Sequence, residues 1–229
     1  MIRVVSWNIE LGRNIAQAAR ELTSIPELKD PDIVLLQEMS EPASQEMAAE
    51  LGFEYRYFAR ASHPETGLPF GNTILSPWPM GDTGSHLLPH TPRIQKQPRS
   101  MTSTVVTVAD VPIETFSVHL ETVLLRLGRR VEQAEVLASA IQELETPQIL
   151  AGGDFNTASR RSIRRFDQTL SKARLRRASN TADPTFHRFG RPFRLDHLYV
   201  KGLTVVSTGV SSEATASDHQ PIWATFRLD

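Results

Sequence analysis

Short apolar runs alternate along this chain with longer stretches in which apolar residues recur every three or four positions, the pattern of sheet strands joined by helices. Strand patterns lie at 2–8, 32–38, 72–76, 101–109, 112–119, 147–153, 195–200, 203–209 and 221–227. Helical spacing covers about 12–29, 41–51, 125–145 and 161–173. The clearest helix carries Val131, Ala134, Leu137, Ala138, Ile141 and Leu144 on one stripe with charges opposite, so it is expected to lie against a sheet. Pro147 forbids its continuation and hands over to the next strand. Val105 to Ile113 reads as a hairpin with Asp110 at its turn. The stretches Ala59 to Gly71 and Gly81 to Gln97, rich in Pro, Gly, His and Thr, read as long loops facing substrate. Hairpin strands mixed with helical crossovers predict an α/β fold of two packed sheets covered on their outer faces by helices.

Several strand patterns end on a group able to do chemistry. Asn8 closes the first, Glu38 the second and His119 follows Ile113 to Val118, while Asp196 opens the pattern through Val200. Gly152-Gly153-Asp154-Phe155-Asn156 follows the buried-looking run Gln148 to Ala151, and Ser217-Asp218-His219-Gln220-Pro221 comes near the end of the chain. In extended backbone Asp154 and Asn156 leave from the same side while Phe155 points into packing. The paired glycines would let a further group, a phosphate among them, approach the backbone closely. Sheets bring strand ends together, so these residues are expected to converge on one site for metal-assisted phosphoester hydrolysis.

Length and composition narrow the setting. A chain of 229 residues, 40% hydrophobic, suits a single large sheet domain. With no cysteine, disulfides, thiolate metal sites and a catalytic thiol are excluded together, and any metal must be held by oxygen or imidazole. No apolar run approaches ~18 residues, and no charged and apolar leader precedes the first strand, so a soluble, cytoplasmic monomer without membrane insertion is expected. The 25 Lys+Arg and 26 Asp+Glu leave a net charge of -1 and no global field for a polyanion. Locally, eight basic residues against Asp167 alone run from Arg160 to Arg177, either a solvated helix face or a surface that tracks phosphates through Arg160, Arg161 and Arg164. A second basic run, Arg93 to Arg99, is weaker.

Trp7-Asn8, Gln37-Glu38, Ser117-Val118-His119-Leu120, Gly153-Asp154-Phe155-Asn156, Leu195-Asp196-His197 and Ser217-Asp218-His219 occur in that order across almost the whole chain. Together with Phe70 to Pro79, they resemble the motifs of the endonuclease/exonuclease/phosphatase superfamily. The resemblance implies a four-layer αββα sandwich of two mixed sheets, DNase I-like, with the site at one rim between the sheets. It also implies a phosphoester substrate.

Glu38 is read as the principal ligand of Mg²⁺ or Mn²⁺, with Asn8 beside it and Asp218 in direct or outer contact. The resemblance adds Glu10, although relatives carry the shorter aspartate there. Asp154 can take a proton from attacking water and Asn156 can orient that water or a phosphate oxygen. His219, its ring held by Asp196, either stabilises the pentacovalent state or acts as the base. The resemblance places His119 at the phosphate, as hydrogen-bond donor or general acid. Asn72 and Arg99 are read as either phosphate contacts or ordinary turn and surface residues. His197 alternates with Leu195 and Tyr199 and so reads as structural, while His63, His86, His90 and His187 are left open.

The expected activity is that of a metal-dependent phosphodiesterase, a nuclease acting on DNA or RNA. The alternative is a phosphomonoesterase or a phospholipid or sugar-phosphate hydrolase. Phe193-Arg194-Leu195-Asp196-His197 departs from the aromatic-cysteine-aspartate-arginine signature of the superfamily's inositol-phosphatase branch, which is therefore disfavoured. A silent phosphate-binding module would be expected to lack Glu38, Asp154 or His219, and all three are present.

Overall fold

The computed structural model describes residues 1–62, 67–91, 97–179 and 182–228. His63 and Arg93 to Lys96 of the second basic run lie outside them. The first half runs β1 (Ile2–Asn8), α1 (Ile15–Ser24), β2 (Ile33–Ser40), α2 (Glu41–Leu51), β3 (Glu54–Ser62), β4 (Pro69–Ser76), β5 (Gly84–Leu87), β6 (Ser100–Val108) and β7 (Val111–His119). There follow α3 (Leu127–Gln142), β8 (Ile149–Asp154), α4 (Arg160–Ser171), β9 (Arg176–Arg177), β10 (Phe186–Arg188), β11 (Arg191–Phe193), β12 (Asp196–Lys201), β13 (Leu203–Val210) and β14 (Ile222–Leu228).

Two mixed sheets of six strands result, ordered β13-β14-β1-β2-β4-β3 and β5-β6-β7-β8-β12-β9, with β10 and β11 as a separate hairpin. Each sheet holds one parallel pair, β1 with β2 and β7 with β8, crossed over by α1 and α3 respectively. Parallel neighbours cannot be joined by a tight turn, which is why the long helical patterns fall at those two places.

Alternation along the strands sorts the core into layers. Val5, Trp7, Val34 and Leu36 pack against α1 and α2, while Phe116, Val118, Ala151 and Tyr199 pack against α3 and α4. Ile2, Val4, Ile33, Leu35, Ile113, Leu150, Leu198 and Val200 meet between the sheets. The sequence is thus a four-layer αββα sandwich, as the motifs imply. Phe116, Phe155 and Phe166 are fully buried around the second sheet, each contributing about 1.5–3 kcal/mol of transfer free energy. Ser40 Oγ caps α2 by accepting from Ala43 N at 3.3 Å, and Gly52 ends it at φ 68°.

Four differences from the sequence reading have local causes. The supposed loop from Ala59 contains the end of β3 and the start of β4; β3 is an edge strand with few buried residues, so its charged Glu54, Arg56 and Arg60 hide the period. The stretch from Gly81 includes β5, a short edge strand on β6. The first helix is shorter than 12–29, since a tight 3₁₀ turn at Glu10–Gly12 precedes it and Pro26 follows its end. Finally, the paired glycines admit the protein itself. A Cβ on Gly152 would stand 2.7 Å from Leu35 Cδ1 of the facing sheet, and one on Gly153, at φ 150°, only 1.8 Å from Val118 O.

Candidate active site

The inward-facing parity of the strands builds the site. Ile2, Val4 and Ser6 face the second sheet, and Asn8 is the next residue of that set. Ile113 leads by twos to His119, Leu150 to Asp154, and Val200 and Leu198 back to Asp196. Register then aligns the second sheet's ends: His119 stands beside Asp154, and Asp154 beside Asp196. Each is the last inward position of its strand, where the inter-sheet core opens at one rim.

Glu38 follows another rule. Gln37 has inward parity and donates to Ser117 Oγ across the sheets at 3.1 Å, so regular pleating would send Glu38 outward. A bulge between Gln37 and Met39 puts Glu38 at φ 62° and re-aims it toward the rim. There Glu38 Oε2 accepts from Leu11 N at 3.1 Å, and Oε1 lies 3.9 Å from His119 Nε2.

His219 comes from the loop ahead of β14 and is pinned from several sides. Trp7 Nε1 donates to its carbonyl at 2.8 Å, Phe186 pairs with it as an isolated bridge, and its Nδ1 lies 2.9 Å from Asp196 Oδ2. The Phe186 ring packs 4.7 Å from the imidazole, centre to centre. Asp154 Oδ2 is 4.0 Å from His219 Nε2, 3.5 Å from His119 Nε2 and 3.2 Å from Asn8 Nδ2, which donates to it.

Burial and neighbouring charges polarise these groups in opposite directions. Burial, reinforced by Asp196, pushes Asp154 up to about 7 despite the opposing pull of His219. Burial disfavours the charged His219 ring, but the Asp196 carboxylate and its hydrogen bond, with Asp154 and Asp218, carry it up to about 10. His119 is held well below its ordinary value by burial, with Arg99 and His219 adding repulsion. Arg99 Nη1 lies 3.2 Å from His119 Nδ1, and a guanidinium only donates, so the ring hydrogen is assigned to Nε2, facing Asp154.

A cleft of about 260 Å³ collects Asn8, Glu10, Glu38, His119, Asp154, Asn156, Asp218 and His219, with Asp196 behind His219. Asn156 does not continue the strand: it turns at φ 52°, its N donates to Asp154 Oδ1 at 2.8 Å, and its side-chain amide donates to Leu120 O. Asn72 lies in a small adjoining hollow with Arg99 and His119, donating to Ser100 O, while its Oδ1 has no partner. Arg160 lines a groove that shares Ala158 and Phe193 with the cleft. Arg161 and Arg164 are exposed on α4 and line neither.

Two arginines outside the motifs complete the arrangement. Arg99 is buried in the cleft wall and paired with Glu121, Nε to Oε2 at 3.4 Å. Arg130 of α3 is buried and donates to Asn156 O at 2.7 Å, holding the turn that follows Asp154. An arginine before a strand and an arginine in a basic helix start carry no sequence signal that separates them from surface residues. His197 is buried, with Nε2 2.6 Å from Thr157 Oγ1, as its outward parity predicts.

The donor chemistry fits a hard divalent cation. Glu38, Glu10 and Asp218, with Asn8 whose Oδ1 accepts from Glu10 N at 3.1 Å, are oxygen-bearing residues lining the cleft, and no cysteine exists to select a softer metal. Asp154, Asp196 and His219 also bring possible ligand atoms within 4.8 Å of one another, and Asp196 Oδ1 is buried without a partner. The Glu38 side brings together residues that can all offer oxygen, the better match to a hard cation.

Comparisons with known proteins bear on the family and the fold. The model of the Endonuclease/Exonuclease/phosphatase family matches residues 5–219. A UPF0294 protein of Yersinia pseudotuberculosis is 30% identical over 240 residues, covering 99% of this chain and 84% of that protein. Among solved structures, an endonuclease/exonuclease/phosphatase of Bacteroides vulgatus superposes with a TM-score of 0.79 at 19% identity, over 100% of this chain and 99% of the other. A mannosyl-6-phosphatase of Bacteroides thetaiotaomicron gives 0.77 at 20% identity over 99% and 100%. D. rerio TDP2 complexed with single strand DNA product gives 0.77 at 19% identity over 99% and 98%. With the family model spanning nearly the whole length, the chain belongs to the endonuclease/exonuclease/phosphatase family, whose members are hydrolases acting on phosphoester bonds.

Proposed function

We propose that this chain is a divalent-metal-dependent phosphodiester hydrolase in which Asp154 activates water and His219 stabilises the developing charge. The observation that carries this reading is a buried carboxylate raised to about 7 standing 4.0 Å from a buried imidazole raised to about 10. One group is poised to accept a proton near neutrality while the other keeps its own. Water oxygen bonds to phosphorus as its proton passes to Asp154, the bond to the departing alcohol breaks, and the alkoxide takes a proton from solvent at the mouth. His219 Nε2–H and the neutral His119 Nε2–H donate to the phosphate oxygens, and Asp196 keeps the His219 ring charged and aligned. Asn156, fixed through Arg130 and Leu120, positions the attacking water or a phosphate oxygen. A cation bound by Glu38, with Asn8, Glu10 and Asp218, would supply positive charge to the phosphate or leaving oxygen.

Nucleic acid as the diester is the second reading, favoured by Arg160 in the groove that continues the cleft. The test is hydrolysis of a small chromogenic diester by Asp154→Asn and His219→Ala, each expected to lose at least ~10²-fold in kcat while circular dichroism shows it folded at the assay temperature. The double variant should fall far short of the product of the single losses, because the groups act in one step. Undiminished turnover in either single variant overturns the assignment.

A further inference from the structure

Among the described residues, seven large apolar side chains are exposed, and five of them gather at the end of the sandwich that holds the site. Strand direction places them: Leu68 precedes β4, Leu87 ends β5, Val123 and Leu124 follow β7, and Phe189 tips the β10–β11 hairpin. Their exposure runs from 48% at Leu68 to 91% at Phe189. Met1 sits at the opposite end and Val206 within β13. Val123 also lines the cleft, as do Phe186, Phe193 and Leu195 from the hairpin side.

Arginines interleave with these tips. Arg188 and Arg191 flank Phe189-Gly190, with the Arg188 guanidinium 5.3 Å from the Phe189 ring centre, and Arg126 and Arg129 follow Val123-Leu124. All four are exposed, and no ion pair engages them among the described residues. Glu10, Glu41 and Glu213 adjoin strands of the first sheet, as does the apolar tip Leu68; the other four tips and all four arginines belong to the hairpin and the second sheet's loops, with Asp183 and Glu132 as exposed acids there, Glu132 paired with His90. Apolar tips bounded by arginines match the boundary between acyl chains and anionic headgroups, where the tips leave water and the guanidinium groups stay at the phosphates. Four of the five tips are aliphatic and offer nothing on which a base could stack, which disfavours a single-stranded nucleic acid.

We propose that this rim docks on an anionic phospholipid surface and presents a headgroup phosphodiester to the cleft. The substrate half of this statement rests on the hydrolase reading above; the docking half does not. Flotation with vesicles of phosphatidylcholine alone and of phosphatidylcholine with phosphatidylglycerol at about 7:3 tests it. Binding is expected on the anionic vesicles and to weaken with salt. Leu124→Ser with Phe189→Ser, and separately Arg188→Glu with Arg191→Glu, should each lower the partition coefficient at least ~10-fold. The serine pair should leave hydrolysis of a soluble chromogenic diester unchanged and slow release of headgroup from vesicles. Absence of vesicle binding while the soluble diester is still cleaved overturns the docking and leaves the hydrolase reading standing; vesicle binding without cleavage of any diester does the reverse. If the serine pair instead weakens binding to a DNA oligonucleotide and wild type ignores vesicles, the rim belongs to nucleic acid and the proposal fails.

Discussion

Replacing Asp196 by asparagine removes one charge from a buried pair and should change both the rate and its dependence on pH. Asp196 Oδ2 lies 2.9 Å from His219 Nδ1, and its charge and hydrogen bond are the largest causes raising that ring. A rise from 6.5 to about 10 corresponds to a preference for the charged ring on the order of 5 kcal/mol, at about 1.4 kcal/mol per tenfold. Because the folded value is raised, this stability is fully present below about 6.5 and is lost as pH climbs through about 10. In Asp196→Asn, burial opposes the charge with only the weaker support of Asp154 and Asp218, so the ring should titrate well below its wild-type value. Asp154, which Asp196 also raises, should move down as well. Imidazole nitrogen shifts of the metal-free variant report the first change directly. At a fixed saturating metal concentration, kcat at pH 8 should fall at least ~10²-fold and both limbs of the pH profile should move to lower pH. A ring still charged at pH 9 in the variant, or a wild-type profile, refutes the coupling.

Chelation should abolish hydrolysis, with Mg²⁺ or Mn²⁺ restoring it, and calorimetric titration of the same metals into Glu38→Gln should show binding weakened at least ~10-fold. Arg160→Glu with Arg161→Glu tests the nucleic-acid reading: phosphate contacts predict weaker binding and a salt slope shallower by roughly one per lost contact, whereas a solvated helix face predicts no change. Gly153→Ala forces a Cβ to within 1.8 Å of Val118 O at φ 150°, and denaturant unfolding should show a loss of at least ~4 kcal/mol or no folded protein.

The interior of the fold was legible because buried strands and amphipathic helices carry their own periods. β1, β2, β7 and β8 each bury one complete face or both, so the apolar pattern records them to within one or two residues, and α3 to within three, whereas α1 is five residues shorter at its end than its pattern because Pro26 follows it. β3 and β5 sit on sheet edges, where half of every residue's surroundings is solvent and selection for apolar side chains relaxes. β10 and β11 pair with one another and, through the single bridge of Phe186 to His219, with the loop ahead of β14, and their three-residue spans are too short for any period to accumulate.

The site divides along the same physical line. Asn8, His119, Asp154 and Asp196 can be counted inward by twos from core residues, so their convergence follows once the strands are assigned. Glu38 breaks that count: parity turns it outward, and only the bulge at φ 62° brings it back, a backbone event with no side-chain signature in Gln37-Glu38-Met39. Asn156 was expected beside Asp154 in extended backbone, yet the chain turns there, and the turn is stabilised by Arg130 from a helix 26 residues away in sequence. Arg99 is buried by its contact with Glu121 across 22 residues, which no local window contains. Positions fixed by period are therefore readable from one sequence, whereas positions fixed by a bulge, a left-handed turn or a distant ion pair become visible only when the strands are placed side by side.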